Sequence, residues 1–174
     1  VEFIDTDNVA VDEKFYQILQ LNNNEWRANG DYGFFNDNFG TSIHSDWTDS
    51  AGTWTINSGH LNQVDESLSN TNLFAAVDQE QSDVVMYHWQ MMISGTGTNR
   101  RAGLHFFCDS AQESNRKNSY MVYFRVDQNK CQMYSYDNNV MSLQTDDNCN
   151  VDLNAWYDYK VIFSRLTGEL SAYQ

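Results

Sequence analysis

The stretch "DVVMYHWQMMIS", residues 83–94, decides the fold class. Read with a period of two, Val85, Tyr87, Trp89, Met91 and Ile93 form one row, and Met86, His88, Gln90 and Met92 form the other. A strand sends successive side chains to opposite faces, so such alternation marks a strand with one buried face. The pattern recurs downstream. In "AGLHFFCD", Leu104, Phe106 and Cys108 oppose His105 and Phe107. In "SYMVYFRVD", Tyr120, Val122, Phe124 and Val126 oppose Met121, Tyr123 and Arg125. The first rows are continuous apolar stripes and are assigned to the core, together with Trp54, Val161 and Phe163.

Working outward, short runs of the same kind fill the chain. They are "GTWTIN", "GHLNQ", "NLFAAVD", "CQMYSYD", "VMSLQ", "WYDYKVIFSR" and "GELSAYQ", separated by clusters of Asn, Asp, Gly and Ser that read as turns. Helical periodicity is scarce. "DEKFYQILQL" (12–21) is its best candidate and fits a strand almost as well. The expected fold is all-β, a two-sheet antiparallel sandwich or jelly roll. A closed barrel has the same periodicity. At 174 residues, the chain suits one domain, expected over 31–174, preceded by a leading segment, 1–30.

Composition narrows the partners. Twenty-four acidic residues stand against 10 basic ones, a net charge of −14. Such a surface repels phosphate backbones, so nucleic acid is excluded as a partner, and it suits neutral ligands and cations such as Ca²⁺. No apolar run approaches about 18 residues, so membrane insertion is not expected. Of three cysteines, Cys131 and Cys149 flank the turn-like "DNN" and are expected to face each other across a hairpin, where a disulfide fits. Cys108 is left as a small buried hydrophobe.

The second rows carry the functional expectation. His88, Gln90, His105, Phe107, Tyr123 and Arg125 replace the Lys, Glu and Thr of an ordinary solvated face. Flat rings stack on the C–H faces of sugars, and planar polar groups meet hydroxyls. These six residues are expected to share one face across three successive, adjacent strands, about 10 Å wide. The competing reading is a layer covered by loops or by a neighbouring domain.

The order "FNDNFG…DWTDSAGTWTINSGHLNQ", "DVVMYHWQMMISGTGTNRRAGLHFFCDS", "SYMVYFRVDQNKCQMY" and "WYDYKVIFS…GELSAYQ" resembles the concanavalin A-like lectin/glucanase superfamily. Its laminin-G-like domains and the carbohydrate-binding or glycosidase-like modules of bacterial surface proteins are nearest in pattern. The resemblance spans about residues 34–174. It implies a jelly roll whose concave face or loop rim binds glycans, often beside Ca²⁺, in a secreted or cell-surface protein. Superfamily members usually continue past a strand like "GELSAYQ" to a last strand, and "FIDTDNVAV" (3–11) looks like that strand at the wrong end. The tail of a preceding module, a permuted domain or a shortened chain would each account for it.

Glucanases of the superfamily carry Glu-x-Asp-x-x-Glu, which sets two carboxylates about 5 Å apart for a retaining mechanism. The nearest match here, "DQEQSD" (Asp78, Glu80, Asp83), inverts the residue types. The four histidines (44, 60, 88 and 105) lack metal-ligand spacing. Carboxylates do concentrate in two turns, Asp5 with Asp7 and Asp146 with Asp147 and Asp152, as a hard cation requires. The expected function is a non-catalytic glycan-binding module. A glycoside hydrolase-like domain and an adhesion module contacting a neighbouring domain are the alternatives.

Overall fold

The computed structural model describes residues 35–77 and 83–174. The leading segment, the 12–21 stretch, Asp5, Asp7, Asp78 and Glu80 lie outside the described residues. Within them the chain forms strands and no helix. Two short ribbons come first: β1 (Trp47–Ala51) pairs with β4 (Asn72–Ala75), and β2 (Trp54–Asn57) with β3 (His60–Gln63). The body holds β5 (Val84–Met92), β6 (Arg101–Phe106), β7 (Ser119–Arg125), β8 (Lys130–Asp137), β9 (Val140–Asn148), β10 (Trp156–Ser164) and β11 (Leu170–Tyr173). All pairings are antiparallel, in a three-stranded sheet β11-β10-β5 and a four-stranded sheet β6-β7-β8-β9.

The two sheets meet through the rows that alternation assigned to the core. Phe124 of β7 lies 3.9 Å, centroid to centroid, from Tyr159 of β10, and Trp89 of β5 packs on both rings at 6.2 and 5.7 Å. Tyr87 meets Phe106 at 4.9 Å, and Phe163 meets Phe106 at 6.1 Å. Val122, Val161 and Tyr159 are fully buried, with Trp89 and Leu104 packed against them. Trp54 departs from its expected place. It is half-buried on the β2–β3 ribbon, where its indole N–H donates to the Ala51 carbonyl at 3.0 Å. A four-residue strand paired only with its own hairpin partner does not reach the core between the sheets.

Turn chemistry sets the hairpins. Ser58 and Gly59 (φ 53° and 75°) link β2 to β3, and Asn138 and Asn139 (φ 46° and 69°) link β8 to β9. Positive φ at both central residues is the type I′ turn, whose twist matches that of the strands. Between β6 and β7 the backbones approach closely at Gly103. A Cβ there would stand 1.8 Å from the Val122 carbonyl oxygen. Gly103→Ala must therefore part the strands, an overpacking cost of roughly 1–3 kcal/mol. Urea unfolding of that variant checks it, and a stability equal to wild type would show that the strands are not so close.

Candidate functional site

The outer face of the four-stranded sheet is laid out by register. Gly103, Tyr123, Gln132 and Asp146 form one row across it, and His105, Met121, Tyr134 and Leu143 the next. Arg101 and Arg125 lie opposite each other at one end, with Ser119 and Tyr136 at the other. Met121, Tyr134 and Tyr136 are buried and pack with Tyr123 into a small second apolar cluster. Around this floor Arg101 and Gly103 are exposed, and His105, Arg116 and Tyr123 are half-buried.

Charges on this face are unevenly spent. Arg125 is consumed internally: Nη2 donates to Asp127 Oδ2 at 2.6 Å, Nε to Oδ1 at 3.2 Å, and Nη1 to Gln132 Oε1 at 3.3 Å. Gln132 also accepts the Tyr134 hydroxyl at 2.9 Å and donates to Asp146 at 3.0 Å. Through the hydrogen bonds from Arg125, the Asp127 carboxyl is held below its usual range. The Asp127 charge also offsets two like charges facing each other across β6 and β7. Arg101 instead lies over the Tyr123 ring, 5.4 Å from its centroid.

Arg116, from the loop after β6, is anchored through Nη1 to the carbonyls of Glu113 and Ser114 at 2.6 and 3.0 Å. Its charge acts on His105, Tyr123 and Tyr136. His105 packs on the Tyr136 ring at 4.9 Å, and its Nε2 lies 3.0 Å from Ser119 Oγ. Burial first, then the Arg116 charge, lowers its pKa to about 4, so the ring is neutral at neutral pH. Burial likewise raises Tyr123 and takes Tyr136 to about 12.

The outer face of the three-stranded sheet differs. His88 Nε2 lies 2.5 Å from Asp158 Oδ1, and Gln90 donates to Asp158 Oδ2 at 3.4 Å. The hydrogen bond from His88 lowers the Asp158 carboxyl. Trp156 and Tyr173, about half exposed, flank the pair. Trp156 rests against His60 at 4.7 Å, and Tyr173 lies under the Lys160 ammonium at 4.8 Å.

The six expected ligand residues do not share a face. β5 pairs with β10, not with β6, because the 94–100 loop carries the chain from one sheet to the other. His88 and Gln90 therefore point away from the sandwich on one side, and His105, Tyr123 and Arg125 on the other. Phe107 belongs to neither face. Its positive φ of 51° breaks the alternation at the end of β6 and turns the ring onto Phe106 and Phe163, at 5.9 and 5.2 Å.

The expected cation ligands are also apart. Asp146 is engaged by Gln132 and lies 3.6 Å from Lys130 Nζ. Asp152 accepts the Tyr157 hydroxyl at 3.0 Å, and Asp147 lies opposite Cys131. These three carboxylates do not fit one Ca²⁺ ion, and no group of three His, Cys, Asp or Glu among the described residues does. The Cys131–Cys149 bridge is not formed either: all three cysteines are free thiols. The Asn138–Asn139 turn and a bulge at Met133/Tyr134 set Cys131 opposite Asp147, two residues short of Cys149. Burial raises the Cys131 thiol to about 12 and the Cys108 thiol to about 11.

Sequence reading missed Tyr134 and Tyr136, although alternation in "CQMYSYD" places them with Gln132 on the face opposite Cys131 and Met133. Arg116 left no such signal, because a loop residue has no period. No family model matches the chain, and no curated protein matches it. Among solved structures it is similar to the carbohydrate binding module CBM66 from Bacillus subtilis. The TM-score is 0.54 at 14% sequence identity, over 74% of this chain and 73% of that one. At that identity the likeness is one of fold: the chain is an antiparallel β-sandwich of the kind that module also has.

Proposed function

We propose that the chain is a non-catalytic carbohydrate-binding domain whose ligand lies on the outer face of β6–β9, between Arg101, His105, Arg116 and Tyr123. One observation carries this: the half-buried Tyr123 ring, seated on the buried Tyr134 and Tyr136, is ringed by polar groups whose hydrogen-bonding capacity is only partly spent. Ser119 has one hydroxyl proton, which goes to the Asn115 carbonyl at 3.3 Å. The neutral His105 ring has one donor and one acceptor nitrogen, and Ser119 engages Nε2. Tyr123 offers a ring edge and a hydroxyl, and Arg101 its guanidinium N–H groups. Neutral acceptors, fixed donors and flat apolar rings together are what a sugar's alternating hydroxyls and C–H faces require.

The structural neighbour's description as a carbohydrate binding module supports the same class. Hydrolysis by paired carboxylates is disfavoured, since Asp146 is the one acidic residue on the outward strand positions of this face and it is already engaged. A second reading places the ligand on the opposite sheet, where Trp156 and Tyr173 are exposed. Arg125 is a poor probe of either reading, because its loss leaves Asp127 and Gln132 without their partner.

Calorimetric titration with a panel of soluble polysaccharides separates the two faces. Tyr123→Ala is expected to weaken binding by about tenfold or more, the loss of roughly 1.4 kcal/mol of ring contact. Trp156→Ala is expected to bind as wild type. The reverse outcome moves the site to the three-stranded sheet. No binding by the wild-type chain to any member of the panel refutes the reading.

A further inference from the structure

We infer, resting on the carbohydrate reading above, that Asn139, in the turn between β8 and β9, is a positioning residue for the saccharide site: it clamps the loop that carries Arg116. Every polar group of Asn139 goes to that loop. Its backbone N–H donates to the Lys117 carbonyl at 3.0 Å, and its carbonyl accepts from Asn115 Nδ2 at 2.8 Å. Its Oδ1 accepts the Lys117 N–H at 2.9 Å, and its Nδ2 donates to Glu113 Oε2 at 2.5 Å. The residues on both sides of Arg116 are therefore tied to one turn residue. Asn138 adds a bond from its backbone N–H to Asn118 Oδ1 at 2.8 Å.

Local preference does not account for the shape of this loop. Arg116 and Lys117 both have positive φ, 64° and 63°, a region that residues other than glycine enter at a cost. Two successive residues stay there only where their surroundings hold them. The hold comes from Asn139, which itself has a φ of 69° and is of a type that accepts it. The same turn closes the β8–β9 hairpin and clamps the neighbouring loop.

The clamp reaches the ligand-facing groups through direct contacts. Asn115, bonded by its amide to Asn139, accepts the Ser119 hydroxyl at 3.3 Å on its carbonyl, and Ser119 Oγ lies 3.0 Å from His105 Nε2. Arg116 sits between Asn115 and Lys117 and is braced through Nη1 on the Glu113 and Ser114 carbonyls of its own loop. An arginine on an unclamped loop loses backbone and rotamer freedom when it meets a sugar hydroxyl. On a clamped loop that freedom is already lost in folding, so binding is stronger for the same contact.

The test uses calorimetric titration of the folded chain with soluble β-glucan, xylan, galactomannan and pectin. Asn139→Gly keeps the positive φ and the backbone bonds and deletes both side-chain bonds. Asn138→Gly is its control, because among the described residues Asn138 is bonded to the loop through its backbone alone. Against a polymer that wild type binds, Asn139→Gly is expected to bind about fivefold more weakly or worse, and Asn138→Gly as wild type. In an Arg116→Gln background the Asn139→Gly change should add little. Solvent exchange of the Lys117 amide, read without ligand, should accelerate in Asn139→Gly and not in Asn138→Gly. Asn139→Asp sets a carboxylate against that of Glu113 and should weaken binding too. Glu113→Gln, added to it, restores a donor and should recover the affinity.

If Asn139→Gly binds as tightly as wild type while Lys117 exchange accelerates, the clamp serves the fold alone and the inference is wrong. The carbohydrate reading then stands on Tyr123. Unchanged Lys117 exchange, or a loss of affinity undiminished by Arg116→Gln, overturns it as well. Should Asn139→Gly not fold, Asn139→Asp with and without Glu113→Gln decides the matter, and no loss or no recovery refutes the inference. If wild type binds none of the polymers, both readings fail together.

Discussion

Phe124→Ala is expected to cost the domain roughly 3–5 kcal/mol, the range for deleting a large aromatic side chain from a packed core. Phe124 is 1% exposed and touches both halves of the sandwich, at 3.9 Å from Tyr159 and 6.2 Å from Trp89. Its cross-strand neighbours are Ala102 and Cys131. Both are small, and neither can swing into the vacated space, so the cavity should persist. Urea unfolding measures the loss. Tyr123→Ala, one residue earlier and half-buried on the opposite face, is the internal control and should cost clearly less. Equal losses would mean that the outer cluster of Met121, Tyr134 and Tyr136 contributes as much to stability as the core between the sheets. A loss below about 1 kcal/mol for Phe124→Ala would place the core elsewhere.

That contrast between neighbouring residues was legible in the sequence, because it depends on parity alone. In β5, β6 and β7 the apolar row identified from alternation is the row that faces the other sheet, and in β10 Val161 and Phe163 follow the same rule. The Asn-rich turn between β8 and β9 was legible too, since few residues other than Gly, Asn and Asp adopt positive φ cheaply. β1 was not, because "WTDSA" has too little alternation to declare itself.

Which sheet a strand joins is a different kind of information. Parity distinguishes inward from outward, but two sheets of a sandwich have outward faces that point in opposite directions. His88 and Tyr123 share a parity and are separated by the whole thickness of the core. Only the crossing of the 94–100 loop separates them, and a loop's path has no periodic signature. Phe107 was misread for a related reason, since one residue with positive φ at a strand end cancels the alternation. The polar face of β6–β9 was therefore half legible: His105, Tyr123 and Arg125 by parity, Arg116 not at all. Arg125, chosen for its chemistry, proves to be committed to Asp127 and Gln132. The unspent donors belong to Arg101 across the strand pair and to Arg116 in the loop.

His105 gives this face a pH signature in folding. Its pKa is about 4 in the folded chain, lowered by burial and then by Arg116, against about 6.5 for an exposed imidazole. At pH 7 both states are neutral, and the group contributes nothing to the pH dependence. As pH falls through about 6.5 the unfolded chain takes up a proton that the folded chain refuses. Stability must then decline, because it rises with pH wherever the unfolded state binds more protons. By pH 4.5 the loss should reach roughly 2–3 kcal/mol, levelling off once the folded ring also protonates near pH 4. The carboxylates of Asp127 and Asp158 behave differently. Their folded pKa values are lowered, so their contribution is present above the unfolded value of about 4 and fades only below it. The interval from pH 6.5 to 5 therefore isolates His105. Urea midpoints for wild type should fall across it, whereas His105→Gln, which keeps an N–H for Ser119 but does not titrate, should stay level. A wild-type midpoint that is flat over the same interval would show that His105 is open to water. The floor beneath Arg101 and Arg116 would then not be the half-buried site that recognition of a saccharide requires.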